Sequence, residues 1–140
     1  NIGRDFFVRL GELEASVECL KALAPTIVQA YRERLEKTLG ELLSEQEIDE
    51  TRIIQETALY ADKVNYTEEV VRLGSHFQQF RAILASTDGP IGRKLDFLIQ
   101  EMNRETNTIA SKASSAEAAQ LVVDMKSEIE KLREQVQNIE

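Results

Sequence analysis

The residues able to do chemistry are few in kind. His76 is the only histidine and Cys19 the only cysteine among 140 residues. A histidine titrates near neutral pH and can carry a proton in phosphodiester cleavage. A single cysteine excludes an intrachain disulfide and a zinc site built on paired thiolates, and fits a reducing cytoplasm. There is no HExxH pair and no glycine-rich phosphate loop. Carboxylates are plentiful. Glu56, Asp62, Glu68, Glu69, Asp96, Glu101 and Glu105 are hard oxygen donors suited to Mg2+ or Mn2+. Glu101 and Glu105 lie four residues apart, one helical turn, a spacing that can hold one hard cation from a single helix face. A further carboxylate from Glu56, Glu68 or Glu69 would complete the set, with His76 beside it as proton carrier. Glu69, Arg72, His76 and Gln79 share one face of their own segment.

The segment around Glu101 also carries groups of the kind that can contact nucleic acid. Arg93, Lys94, Arg104 and Lys112 can hold phosphates, and Gln100, Asn103 and Asn107 can reach sugar or base edges. Four basic residues there oppose Asp96, Glu101 and Glu105, a local balance of +1, so the rest of the chain, at −8 overall, stands at −9. A strongly basic nucleic-acid binder reads the other way. If RNA touches this chain, this segment is the least repulsive place. A plainer reading is a solvated helix face, with Glu101 and Glu105 paired only to Lys94 and Lys112 and the lone histidine structural or exposed.

The elements that position these groups are helices. Hydrophobic residues make up 42% of the chain and aromatics 6%, with 2 Pro and 6 Gly, so Leu, Ile, Val and Ala must build the core and few points break a helix. Leu10, Leu13, Val17, Leu20, Ala24, Ile27 and Tyr31 follow a 3–4–3–4 spacing, the seam of a helix packed lengthwise on another. Pro25 either starts a second helix or kinks one long helix. Ser44 and Glu47 have capping-box spacing, which predicts a helix from about Glu47 to Val64 burying Ile53, Ile54, Ala58 and Ala61. Thr67 reads as the next N-cap, followed by Val70, Leu73, Phe77, Phe80 and Leu84. Ser86 to Pro90 is the clearest loop. A helix over residues 92–112 then carries the stripe Leu95, Leu98, Met102 and Ile109. Ser114 and Glu117 repeat the capping-box spacing before a heptad seam over residues 115–140, from Ala118 to Ile139. The expected fold is a soluble all-α helical bundle or hairpin of five or six long antiparallel helices with coiled-coil-like packing, in a single domain over residues 1–140. The seams at Val17 to Tyr31 and Val122 to Ile139 look too long for one small domain to cover, which predicts self-association. No run is apolar enough to span a membrane.

The stretch Gly92-Arg-Lys-Leu-Asp-Phe-Leu-Ile-Gln-Glu-Met-Asn-Arg-Glu-Thr-Asn-Thr-Ile-Ala-Ser-Lys112 resembles the signature of the YicC/YloC-like bacterial endoribonucleases. The ending Glu130-Lys-Leu-Arg-Glu-Gln-Val-Gln-Asn-Ile-Glu140 resembles the end of that family's chains. Gln55-Glu56, Ala61-Asp62-Lys63, Glu68-Glu69, Arg72-Leu73 and Ser75-His76 follow its order and spacing. The likeness is specific over roughly residues 52–140 and loose before Leu43. Asn65 and Tyr66 depart from it, standing where the family usually has Asp and Ile. The resemblance implies a protein about twice this length with an N-terminal domain preceding this one, a reading that a first residue Asn1 already at a helix start supports. It implies a family once labelled stress-induced, now described as Mn2+-favouring endoribonucleases assembling into ring-like homo-oligomers, possibly hexamers. The expected function is thus the C-terminal domain of a metal-dependent enzyme cleaving RNA, with no DNA specificity. The alternative is a non-catalytic helical module for oligomerisation or RNA binding, with the chemistry in the N-terminal domain.

Overall fold

The computed structural model describes residues 2–86 and 89–139, with the side chain of residue 2 left aside. It holds five α-helices and a 3-10 turn: α1 (Ile2–Leu42), the turn Glu45–Glu47, α2 (Glu50–Lys63), α3 (Thr67–Ala85), α4 (Gly92–Lys112) and α5 (Ala116–Asn138). No strand occurs among the described residues, so the chain is all-α.

Pairwise contacts give the topology. Arg72 on α3 reaches Glu105 on α4, and Glu69 reaches Lys112. Asp5 meets Gln135, and Arg9 meets Glu128, across α1 and α5. Phe6 packs edge-on against Phe80 at 5.6 Å, while Leu20 lies beside Tyr66. In each pair one number rises as the other falls, so neighbouring helices are antiparallel. The result is an up-down-up-down bundle of α1, α3, α4 and α5, closed by α5 packing on α1.

The 41 residues of α1 span roughly 60 Å at 1.5 Å per residue, about twice the length of α4. Its first half lies in the bundle. Its second half projects beyond, and α2 folds back along it, stacking Tyr60 on Tyr31 at 3.9 Å. Thus α2 and α3 run the same way along α1, one after the other, as one strut of the bundle broken at Val64–Tyr66.

Several local expectations shift. The helix continues through Pro25, which lies on the exposed side, where the lost N–H costs least. The Ser44–Glu47 capping box forms, but it caps the 3-10 turn. Asp49 begins α2, its carboxylate accepting from the N–H groups of Thr51 and Arg52. Only Ile53 of α2 is buried. Ile54 is 55% exposed, because α2 packs chiefly on α1 rather than inside the bundle. Thr67 is the first residue of α3 rather than its cap; Asn65 Oδ1 accepts its N–H at 2.9 Å. Ser115, not Ser114, caps α5 by accepting from Ala118 N–H at 3.0 Å. Of the expected loop Ser86 to Pro90, Thr87 and Asp88 lie outside the described residues. Gly89 adopts φ of 65°, a left-handed conformation that favours glycine.

The core is a single cluster fed by all four bundle helices. The seam of α5 is covered within it, since Val122, Met125, Ile129, Leu132 and Val136 are all buried. The α1 seam is covered as far as Ile27. Uncovered apolar side chains lie on the arm, at Leu42, Leu43, Ile54 and Leu59, and singly on the bundle helices, at Phe7, Val8, Val71, Phe97 and Val123.

Candidate metal centre and nucleic-acid interface

The α3–α4 contact carries the chemistry. Helix α3 presents Glu69, Arg72 and His76 on successive turns, and α4 answers in reverse order with Lys112, Glu105 and Glu101. Periodicity puts each set on one face, and the antiparallel packing puts the faces opposite. His76, Glu101 and Glu105 converge: one donor atom from each lies within 4.8 Å of the others. Both ring nitrogens of His76 are buried and lack a hydrogen-bond partner. Buried polar atoms are rarely left so.

A ladder of ion pairs supports this group from behind. Lys112 Nζ donates to both oxygens of Glu69, at 3.0 and 2.9 Å. Arg72 donates to Glu105 at 2.9 Å and to Glu69 at 3.4 Å, and also to Glu68. Glu69 is 2% exposed and Glu105 6%. A carboxylate so far from water stays only when paired. Hydrogen bonding to Glu105 first, and to Glu68 next, raises Arg72 above its ordinary value, so its charge is permanent. Glu68, Glu69, Glu101 and Glu105 against Arg72 and Lys112 leave a balance of −2 if His76 is counted neutral.

The donor set fits a divalent cation. Ligands about 2.1 Å from such an ion stand about 3 Å apart when cis and about 4.2 Å when trans. The 4.8 Å spread therefore needs only small side-chain closure. Two carboxylates with one imidazole suit Mn2+ better than Mg2+, which favours oxygen alone.

The sequence candidates therefore divide. His76, Glu101 and Glu105 come together. Glu69 stands behind them with both oxygens held by Lys112. Glu56 lies on α2, paired with Arg52 at 3.5 Å, and is not part of the group. Glu105 does not pair with Lys94 or Lys112 as a surface residue, because Arg72 of the neighbouring helix takes it into the interface. Gln79 turns away from the cluster and donates to Ser75. Arg93, Lys94 and Arg104 are exposed on α4, and none has an ion-pair partner among the described residues. Gln100 donates to Asp96 at 2.9 Å and Asn107 accepts from Lys126 at 2.7 Å. Gln100, Asn103, Arg104, Asn107, Thr108 and Ser111 line one shallow polar depression. Lys112 is committed to Glu69 rather than open to a ligand.

Sequence reasoning missed three features. Arg72 is the hub of the ion pairs; only its place on the His76 face hinted at this. Thr106 fills the gap in the α4 stripe between Met102 and Ile109, its hydroxyl satisfied by Met102 O at 2.8 Å. Phe97 is 60% exposed despite its bulk. A hollow of about 650 Å3 between α1 and α3 is lined by Val17, Tyr66, Val70 and Phe77 together with Glu14, Glu18 and Lys21, and brings no histidine to its carboxylates.

The fold and this centre define a class: an all-helical bundle domain with an acidic, histidine-bearing cluster between two of its helices. Residues 20–140 match the family described as "Endoribonuclease YicC-like, C-terminal", and the chain belongs to that family. It is 49% identical over 140 residues to the "Probable endoribonuclease YicC" of Clostridioides difficile (strain 630), covering 99% of this chain and 47% of that protein. It is 37% identical over 132 residues to the protein of the same description from Haemophilus influenzae (strain ATCC 51907 / DSM 11121 / KW20 / Rd), covering 94% and 45%. The chain thus spans about half the length of these relatives. No described helix is long and apolar enough to cross a membrane.

Proposed function

We propose that this chain is the C-terminal domain of a metal-dependent endoribonuclease, and that His76, Glu101 and Glu105 form its metal and proton-transfer centre. The observation that carries the reading is the convergence of these three side chains with both imidazole nitrogens unpartnered. Membership of an endoribonuclease family supports RNA as the substrate class. A bound Mn2+ or Mg2+ would supply Lewis-acid stabilisation of charge on the scissile phosphate and lower the pKa of an attacking water. Glu101 and Glu105 would hold the cation, with one ring nitrogen of His76 as the third donor. Arg72 fixes the Glu105 carboxylate in place, and Lys112 fixes Glu69 behind it. The other ring nitrogen of His76 would move a proton to or from the reacting oxygen. Arg93, Lys94 and Arg104 bind flanking phosphates, having no carboxylate of their own to satisfy. In a chain of net charge −8 they are the electrostatic opening for RNA.

The test is Mn2+-dependent cleavage by the full-length protein carrying Glu101→Gln or His76→Ala. Loss of cleavage with unchanged folding is the expected result. Cleavage at the parent rate in both variants would remove the centre from the reaction. The second reading, a non-catalytic assembly module, would then stand. It has its own observation: the exposed apolar residues Leu42, Leu43, Ile54 and Leu59 on the projecting arm, which suit contact with further copies in a homo-oligomer.

A further inference from the structure

Resting on the RNA reading of the α4 surface, we infer that Phe97 is a stacking platform for an unpaired base, and that the substrate at this site is single-stranded RNA. Phe97 is more exposed than any other described aromatic side chain. Its placement is specific. It lies one turn before Glu101 on α4, so the two Cβ atoms stand about 6 Å apart on adjoining surface. Arg93 precedes it by one turn and Arg104 follows on the same exposed strip, about 11 Å further along the axis at 1.5 Å per residue. Neither arginine has an ion-pair partner among the described residues, so two free cations bracket a bare aromatic ring beside the acidic centre.

Each part matches one component of a nucleotide. The guanidinium groups take phosphates, and the ring offers a π-face to a base. The strip continues through Gln100, Thr108 and Ser111, which supply amide and hydroxyl groups for sugar and base edges. A base inside a duplex has both faces covered by its neighbours, so only an unpaired base can lie on Phe97. Stacking there would set the adjoining phosphate beside Glu101, which makes Phe97 a positioning and specificity residue rather than a proton carrier or metal ligand. A second protein copy is the competing occupant of an exposed phenyl ring, but an uncompensated pair of arginines favours a polyanion.

The experiment uses the full-length protein in a Glu101→Gln background that stops cleavage, with a labelled oligoadenylate and a fully paired RNA duplex as probes. Phe97→Leu keeps apolar bulk but removes the π-face. It should weaken oligoadenylate binding about tenfold while leaving duplex binding within about twofold. Phe97→Tyr should bind as the parent does. These 140 residues contain no Trp, and the fluorescence that Phe97→Trp adds over the parent protein reports position 97, so oligoadenylate should quench that added signal. Phe97→Leu binding oligoadenylate as tightly as the parent overturns the proposal. So does a change of oligomer size by light scattering with RNA affinity unchanged, which would assign Phe97 to a protein contact. Failure of the parent itself to bind either RNA would instead overturn the RNA reading on which this rests.

Discussion

Glu69 and Lys112 close the α3–α4 interface as a pair of a buried carboxylate and a half-buried ammonium, with Lys112 Nζ 3.0 and 2.9 Å from the two carboxylate oxygens and the carboxylate almost wholly out of water. The pair joins the first turn of α3 to the last turn of α4. It keeps the helices in the register that sets His76 opposite Glu101.

Removing the cation should therefore cost stability. Lys112→Met leaves Glu69 buried with only the longer Arg72 contact at 3.4 Å. The expected loss is about 3 kcal/mol, the range for a buried charge stripped of its partner. Urea unfolding measures it, and Glu69→Leu combined with Lys112→Met should recover most of the loss. A Lys112→Met variant as stable as the parent would mean that the pair is solvated rather than buried.

Arg104 should behave in the opposite way. It is exposed and without an ion-pair partner among the described residues, so Arg104→Gln should change the melting temperature little. RNA affinity of the full-length protein should fall, and the slope of log affinity against log salt should shrink by about 1, as when one phosphate contact is lost. An unchanged salt slope would place RNA elsewhere.

The core of α4 gives a contrast of two substitutions. Leu98 is 3% exposed, so Leu98→Ala should cost about 2–5 kcal/mol. Ile54→Ala, on the open side of α2, should cost under about 0.5 kcal/mol in a monomer. A large effect of Ile54→Ala that grows with protein concentration would instead show the arm to be covered by another copy.

Asn65 makes a local prediction. Its side chain caps α3 through the Thr67 N–H, so Asn65→Ala should cost about 1 kcal/mol. Asn65→Asp keeps the acceptor and adds a negative charge at a helix N-terminus, so it should be neutral or stabilising. Thermal melts of the two variants should move in different directions.

The response to acid follows from Glu14 and Arg81, which join α1 to α3 through two contacts of 2.6 Å. Hydrogen bonding to Arg81, set against a smaller desolvation effect, holds Glu14 below the ordinary glutamate value of 4.5. A depressed carboxylate pKa means that the unfolded chain takes up its proton first as pH falls. The pair's contribution is thus present above about pH 4.5 and is lost as pH drops through the depressed value. Glu14 is 43% exposed, so the contribution is under about 1 kcal/mol. Arg81→Gln should lower stability at neutral pH and flatten its decline in acid. Parallel stability curves for the two proteins across that range would refute the assignment.

By itself the sequence determined what depends on neighbours along the chain. Apolar spacing marked the helices, and residues 92–112 emerged with the bounds observed. The four-residue spacing of Glu101 and Glu105 placed both on one face of α4, and the single histidine was readily singled out. The details of capping were less legible. Ser44, Thr67 and Ser114 have the right side chains, but which one caps a helix depends on where the chain turns. Tertiary structure decided the rest. Nothing in the spacing shows that α2 and α3 lie end to end along α1, or that Glu105 turns inward to Arg72 while Phe97, eight residues earlier, turns out. Glu56 and Glu69 looked alike as carboxylates. Only the packing of α3 on α4 buried one behind the centre and left the other on the arm. The reason is physical: a helix sets the angular position of each side chain, but which angle meets protein and which meets water is set by its neighbours, and burial then decides how a charge must be paired.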